Sequence, residues 1–568
     1  MDDVPGKETQ FSYAHCCGKE PLIWSTIGDR LEDAAKRYPH NDAIVDVWRN
    51  WRYSYDHFYK VCRKAAKGLM QMGVQKGDRV GIWATNYIEW VITQFSTAMI
   101  GAVLVTINPA LREHEFEYVL RDSECQTLIL IERFKTSKYI DMFYNVFPEA
   151  KQQMPGRLHS YKFPHLQNVI VLSEHGFPGM YTSKDVLTYG EVVSDDELNK
   201  RRKDLDPDDI INIQYTSGTT GFPKGACLTH HGILNNAYFV GQNMQFSNTD
   251  RLCIPVPFYH CFGMVLSNML CVTYGATMVL PGEFFDPLAT LKAISQERCT
   301  AINGVPTMFI AQLEHPEFSS MDLSSLRTGI MAGAPCPIEL MKKVQDEMGI
   351  KDITICYGLT EASPVTNQTR YNEPVELRVK SVGRPLQHTE IKIVNPSTNA
   401  VAPVYEQGEI CVRGFQVMKG YHNKPDETDK TIDESGWLHT GDIGTMDENG
   451  YLKITGRLKN MIIRGGENIY PREIEEFLHT HPDIVDVQVF GVPDDKYGEE
   501  IASWIKVRSQ ATITIEDIKT FCQDKIAHQK IPKYIKFVDE FPMTVTGKIQ
   551  KFRMKEMFLQ ELHLKENA

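Results

Sequence analysis

The sequence predicts an α/β protein: a large N-terminal domain of mostly parallel sheets with covering helices and a β subdomain, then a small α+β C-terminal domain. Three observations predict it. Amphipathic helical stretches alternate with short apolar runs over residues 1–135, the rhythm of parallel strands joined by crossover helices. Residues 381–455 switch to short strands separated by turn pairs, Asn395-Pro396 and Asn449-Gly450. Beyond Arg457 the texture changes again, and the remaining stretch of about 110 residues suffices for a separate small domain.

The elements follow in order. A helix over 27–37 precedes an extended run at 43–46, and a helix over 54–72 precedes a strand over 79–83. A helix over 87–100 precedes 103–107, and one over 113–120 precedes 127–131. Residues 145–205 are polar and turn-rich and predict a surface connection; the apolar α/β pattern resumes at 211 and runs to about 394. In the C-terminal part, residues 464–468 interrupt two ordered stretches. Helices are predicted over 471–479 and 515–525, and strands over 485–492, 501–507 and 536–538. Two uncharged runs, 90–107 and 252–282, are predicted as buried helix-then-strand pairs. Thr93, Gln94 and Gly101 in the first and Pro255, Pro257, His260 and Gly275 in the second interrupt the run of ~20 apolar residues that a lipid-facing helix needs, so no transmembrane segment is expected.

Charge and cysteine usage exclude several classes. Lys+Arg 61 against Asp+Glu 73 leaves −12, which argues against a sequence-independent nucleic-acid partner. The 13 cysteines form no CxxC pair and are odd in number, so neither a disulfide framework nor a zinc site is suggested, and a reducing compartment is expected. The start, MDDVPGKETQ, has neither the apolar core of a secretory signal nor the Arg-rich character of a mitochondrial transit peptide, and the final KENA is no peroxisomal signal.

The most informative run is YTSGTTGFPKG at 215–225, between two strand candidates. Its glycines let backbone N–H groups approach phosphate oxygens, its hydroxyls donate, and Lys224 adds a point charge. It is not a Walker A loop, which needs glycine at 223 and Ser or Thr at 225, where Pro223 and Gly225 stand. Four more motifs follow: YGLTE at 357–361, WLHTGD at 437–442, GRLKNMIIRGGENIYPREIE at 456–475 and TVTGKIQK at 544–551.

These five motifs, in this order, resemble the adenylate-forming superfamily of acyl-CoA synthetases, firefly-type luciferases and peptide-synthetase adenylation domains. Within it, NIQYTSGTTG, IIRGGENIYP and HQKIPKYIKFV at 528–538 are similar to the medium-chain acyl-CoA synthetases. The resemblance spans essentially the whole chain. It implies a luciferase-like fold with an N-terminal adenylation domain over 1–457 and a mobile C-terminal lid over 458–568. It also implies fatty acid, ATP and coenzyme A as small-molecule substrates, with Mg²⁺.

Site residues carry over position by position. Thr216, Ser217, Gly218, Thr219, Thr220, Gly221, Phe222, Pro223 and Lys224 are expected to hold the β- and γ-phosphates of ATP. Gly333, Ala334, Pro335 and Tyr357 are expected to line the adenine, Thr360 to touch the α-phosphate and Glu361 to bind the metal. Asp442, acceptor-only, suits the two ribose hydroxyls; Arg457 is expected beside ribose and phosphate, and Lys459 at the hinge. Lys548 resembles the catalytic lysine of the lid, and Gly465, Gly466 and Glu467 the loop beside the pantetheine tunnel. His260, in FYHCFGM, resembles the residue that gates the carboxylate. Residues 304–307 and 328–331 are expected to line the acyl tunnel.

The implied chemistry is attack of an acyl carboxylate on the α-phosphorus of ATP, releasing pyrophosphate, then attack of the CoA thiol on acyl-AMP, releasing AMP. Another carboxylic acid, a carrier-protein thiol, or a non-catalytic nucleotide- or lipid-binding protein of the same fold are the alternatives. Only 20 residues follow Lys548, which disfavours a fused carrier domain. The resemblance implies a mitochondrial location; the absence of a visible transit peptide points to the cytoplasm instead.

Overall fold

The computed structural model describes residues 11–216, 223–334, 336–464, 467–494, 496–508, 511–523, 525–543 and 549–566. Two large sheets dominate. In the first, six parallel strands run in the order Tyr181–Thr182, Asn168–Val171, Thr127–Leu130, Arg79–Trp83, Val103–Thr106 and Ile210–Thr216. Antiparallel Lys224–Thr229 and Gly420–Tyr421 extend it. In the second, Asp352–Gly358, Thr328–Ala332, Ala301–Gly304, Arg251–Cys253, Thr277–Leu280 and Asp42–Asp46 are parallel neighbours, with antiparallel strands at both edges.

Alternation along the second sheet explains why its strands read as continuous apolar runs. Ile44, Met278 and Ile330 enter the largest core, shared with Val80, Leu104 and Ile213 of the first sheet and with helix residues Phe58, Phe95 and Phe239. Their chain neighbours Val45, Val279 and Met331 point the other way, into a second core closed by Leu291, Ile294, Phe309 and Leu340. In the main core Trp83 stacks on Phe116, ring centroids 3.9 Å apart and 8° from parallel.

The β subdomain is a five-stranded antiparallel sheet in the order Tyr13–Cys16, Thr389–Val394, Gly408–Gly414, Leu438–Met446 and Leu452–Arg457. Its first strand comes from near the N-terminus, which the sequence pattern did not predict. After residue 461 a further sheet pairs Ile484–Asp494 with Gly498–Val507, and this strand in turn pairs in parallel with Tyr534–Phe537. Ile462, Ile474, Val487, Ile505 and Ile518 form a separate core there.

Three expectations need correcting. Residues 145–205 are not merely a surface connection: Asn168–Val171 is a buried strand of the first sheet, too short an apolar run to stand out from its polar surroundings. The stretch at 464–468 does not separate independent elements. Ile462–Arg464 and Glu467–Ile469 pair antiparallel on either side of the glycine pair, which lies outside the described residues. A helix over Lys551–Glu566 was not foreseen, because its apolar residues show almost no one-sided period. The uncharged run at 252–282 is buried helix and strand, and among the described residues no helix is long and apolar enough to cross a membrane. None of the thirteen cysteines is in a disulfide, and ten are buried.

Candidate active site

The YTSGTTGFPKG motif is mounted on two strands. Ile210–Thr216 and Lys224–Thr229 pair antiparallel with Thr216 opposite Lys224, so the two ends of the motif stand side by side. Ser217, Gly218, Thr219, Thr220, Gly221 and Phe222 lie outside the described residues. The first of these ends is held by Asp122, at the last residue of helix Glu113–Asp122. Its Oδ2 accepts from Tyr215 Oη at 2.8 Å, and its Oδ1 faces Lys424 Nζ at 3.3 Å. Tyr118 Oη donates to the Pro223 carbonyl at 3.2 Å. Burial, reinforced by Asp122, keeps the Tyr215 phenol protonated well above its ordinary range. Lys224 forms an ion pair with Glu427 and lies 5.1 Å from the Tyr421 ring centroid.

YGLTE lies where Asp352–Gly358 turns back antiparallel into Val365–Gln368. A Cβ on Gly358 would stand 1.9 Å from the Pro364 carbonyl oxygen, so only glycine allows this close approach. The single turn Thr360–Ala362 projects Glu361 toward the loop. Glu361 Oε1 accepts from Tyr421 Oη at 2.7 Å and lies 3.5 Å from Thr216 Oγ1. Among the described residues its Oε2 has no hydrogen-bond partner.

Four residues upstream of Glu361, Tyr357 Oη donates to Asp442 Oδ2 at 2.8 Å. Asp442 Oδ1 accepts from Arg457 Nε at 2.7 Å; the two are directly opposite in the last ladder of the β subdomain. Asp442 is 4% exposed, whereas the Arg457 side chain is 65% exposed and open to an incoming ligand. The Asp442 carboxylate, more than any other group, raises the affinity of Arg457 for its proton. Two residues on, burial and then the positive charges of Lys224 and Arg457 lower the pKa of the exposed Lys459 ammonium.

Topology brings the remaining candidates to the same edge. Ala301–Gly304, Thr328–Ala332 and Asp352–Gly358 are adjacent parallel strands, so residues 304–307, 333–334 and 358–361 follow neighbouring C-terminal strand ends, the usual ligand-binding edge of such a sheet. Gly333 is left-handed at φ +86°, and Gly333 and Ala334 are exposed; Pro335 is outside the described residues. His260 caps the turn Cys261–Gly263, its Nδ1 accepting from Phe262 N–H at 3.1 Å. A π-helical turn, Met264–Met269, follows. Asn303 Nδ2 pins it by donating to the Leu266 carbonyl at 2.8 Å. Cys261 Sγ lies 3.0 Å from Gln214 Oε1, linking this apolar segment to the strand that feeds the phosphate loop. Lys548, Gly465 and Gly466 are outside the described residues; Glu467 begins the strand Glu467–Ile469, and its side chain is likewise outside the description.

Residues 31–422 match the AMP-binding enzyme family, and residues 473–548 match the AMP-binding enzyme C-terminal domain. The chain belongs to the AMP-binding enzyme family. Among relatives of this AMP-binding enzyme, the provisionally named acyl-CoA synthetase YngI of Bacillus subtilis (strain 168) is 52% identical over 543 residues, 96% of this chain and 99% of that protein. The mitochondrial medium-chain acyl-CoA ligase ACSF2 of Danio rerio is 44% identical over 567 residues, 99% of this chain and 93% of that protein. ATP-bound MatB from Rhodopseudomonas palustris superimposes with a TM-score of 0.81 at 26% identity, covering 94% of this chain and 99% of that one.

Asp122, Tyr421 and Glu427 escaped the sequence reading. Each touches a motif residue or its support, yet Asp122 precedes its partner Lys424 by 302 positions, and nothing in local spacing ties them. The one available signal was Tyr421 in GYHNKP, an aromatic within a turn-forming run.

Proposed function

We propose that this chain is an AMP-forming fatty acid:CoA ligase with a preference for medium-chain acids. The observation that carries the reading is a pair of carboxylates with different surroundings, one following a strand end of the second large sheet and the other on the β subdomain strand that Tyr357 ties to it. Asp442 is buried between a phenol and a guanidinium, an acceptor suited to ribose hydroxyls. Glu361 keeps one oxygen without a partner among the described residues, beside Thr216 and Tyr421. That oxygen fits a hard cation that takes one or two carboxylates plus phosphate oxygens, so Glu361 is the residue that would hold Mg²⁺. Mg²⁺, when bound, neutralises charge on the phosphate chain.

The protein's own groups are assigned as follows. Lys224 and the hydroxyls of the 216–224 loop hold the β- and γ-phosphates. Tyr357 lies against the adenine with Gly333, Ala334 and Pro335, and Thr360 meets the α-phosphate. The fatty acid carboxylate, gated by His260, attacks the α-phosphorus and pyrophosphate leaves, with Lys548 stabilising the charge that builds between the two anions. The C-terminal part, 458–568, then turns about Lys459, withdraws Lys548 and admits the CoA thiol beside Gly465, Gly466 and Glu467. The thiol attacks the acyl carbonyl and AMP leaves. The ACSF2 relatives support the medium-chain preference. A mitochondrial location is supported by the ACSF2 relatives, which are mitochondrial, with the cytoplasm as the alternative; an import assay with the full chain separates them.

The test is release of AMP and pyrophosphate from purified protein with Mg-ATP, CoA and straight-chain fatty acids from short to long, with CoA omitted in parallel. CoA-dependent AMP production peaking at medium length is expected. Acyl-AMP formation without CoA turnover overturns the ligase assignment in favour of another acceptor, and no adenylation with any acid overturns the enzyme reading. Lys548→Ala should slow adenylation on the order of 10²–10³-fold while affecting thioester formation from supplied acyl-AMP much less.

A further inference from the structure

Between the strand that carries Asp442 and its neighbour in the β subdomain, three unlike donors converge. Cys411 and His439 stand directly opposite each other in the antiparallel pair Gly408–Gly414 and Leu438–Met446. Glu409, two residues before Cys411, shares its face of the strand, and the register shifts between them. His439 Nδ1 lies 2.9 Å from Glu409 Oε2 and 3.5 Å from Cys411 Sγ, and one ligand atom from each residue lies within 4.8 Å of the others.

The spacing is that of a coordination sphere. Tetrahedral zinc, with Zn–S of about 2.3 Å and Zn–N of about 2.0 Å, holds its sulfur and nitrogen about 3.5 Å apart. Supporting contacts are already in place. Glu409 Oε1 accepts from Gly441 N–H at 3.0 Å, which leaves Oε2 to face the other two donors. On the far side of the imidazole, the Asp433 carboxylate Oδ2 lies 3.7 Å from His439 Nε2, beyond hydrogen-bond distance but close enough for its charge to favour a proton at that nitrogen. Cys411 is fully buried against Val394 and Trp437, while Glu409 and His439 are partly open, so one side is dry and the other admits an ion with a water as fourth ligand.

We propose that Glu409, Cys411 and His439 form a binding site for one zinc-class divalent cation. Sulfur and imidazole nitrogen among the donors set it apart from the oxygen-only chemistry expected at Glu361. Binding releases the His439 Nδ1 proton and the Cys411 thiol proton to solvent as the metal forms bonds to that nitrogen and sulfur, with Glu409 Oε2, already ionised, supplying the third. Because Gly441 is tied to Glu409 and precedes Asp442, the occupied site braces the turn that presents the ribose acceptor.

The experiment is titration of cobalt(II) chloride into the full chain, reduced with a phosphine and free of nucleotide, followed by absorption spectroscopy. One equivalent should produce a thiolate-to-cobalt charge-transfer band and the visible bands of tetrahedral cobalt, and zinc chloride should abolish both. Cys411→Ser should remove the charge-transfer band, and His439→Gln and Glu409→Gln should weaken binding by more than roughly tenfold, with thermal melts showing that each variant is folded. Twelve other cysteines make the variants decisive. A charge-transfer band that persists in Cys411→Ser, or no band in the unaltered chain at equimolar cobalt, overturns the proposal.

Discussion

Lys224 Nζ is ion-paired with the carboxylate of Glu427, on the short helix Pro425–Asp429. The lysine assigned to the ATP phosphates therefore already has an anionic partner, which phosphate must displace. Glu427 also meets Lys430 at 3.2 Å and loses little when Lys224 leaves. Glu427→Gln should lower KM for ATP roughly two- to fivefold with kcat nearly unchanged, as expected for a partly exposed ion pair. Steady-state kinetics with ATP varied checks this; a raised KM would show that Glu427 positions the lysine instead of competing for it.

Asp442 is held from both sides, by Tyr357 and by Arg457. Removing the carboxylate with Asp442→Ala takes away a charged acceptor and should lower kcat/KM for ATP by roughly 10- to 100-fold. Tyr357→Phe leaves the carboxylate in place with one donor fewer and should reduce stability by about 1–3 kcal/mol. Denaturant melts and ATP kinetics on both variants separate the two effects.

Gly358 has no room for a side chain, since its Cβ would meet the Pro364 carbonyl at 1.9 Å. Gly358→Ala must push the two strands of the hairpin apart, at about 1–3 kcal/mol of stability. The displaced segment carries Thr360 and Glu361, so KM for ATP should rise as well. Thermal melts together with ATP kinetics read both consequences, and a variant with unchanged KM would detach Glu361 from the nucleotide.

His230 begins the helix His230–Asn243 at full burial, its Nδ1 accepting from Ile27 N–H at 3.1 Å. Burial lowers its pKa from 6.5 to about 4. The unfolded chain therefore takes up this proton at a higher pH than the folded one. The stability His230 provides as a neutral group is complete above pH 6.5 and drains away between 6.5 and about 4, by up to about 3 kcal/mol. Below about 4 both states are protonated and the slope from this group ends. His230→Asn keeps an acceptor near Ile27 and should flatten that part of the acid profile in urea denaturation series; an unchanged slope would acquit the imidazole.

How much of this was readable beforehand depended on whether a residue's role is local. Tyr357, Thr360 and Glu361 announce themselves because one tight hairpin presents them together, and Gly358 is needed for that hairpin. Strands such as Arg79–Trp83 are legible because the apolar run is bounded by turn residues. Asn168–Val171 is not, since four residues within a polar stretch carry too little pattern to count against their surroundings. Asp122, Glu427 and the Glu409–Cys411–His439 cluster are invisible for a different reason. Each depends on strand register or on a helix end meeting a distant loop, and register is settled by packing across the whole sheet.

The edge strand of the β subdomain, Tyr13–Cys16, is synthesised long before its partner Thr389–Val394; Tyr13 Oη donates to Glu390 Oε2 at 2.7 Å, 377 residues later. During synthesis it must wait, its hydrogen-bonding edge unsatisfied, while both large sheets are being made. Its place in the sheet is thus settled only after every strand of the second large sheet, through Arg384–Pro385, has been made, a pairing of high sequence separation that waits on the larger core before it can form.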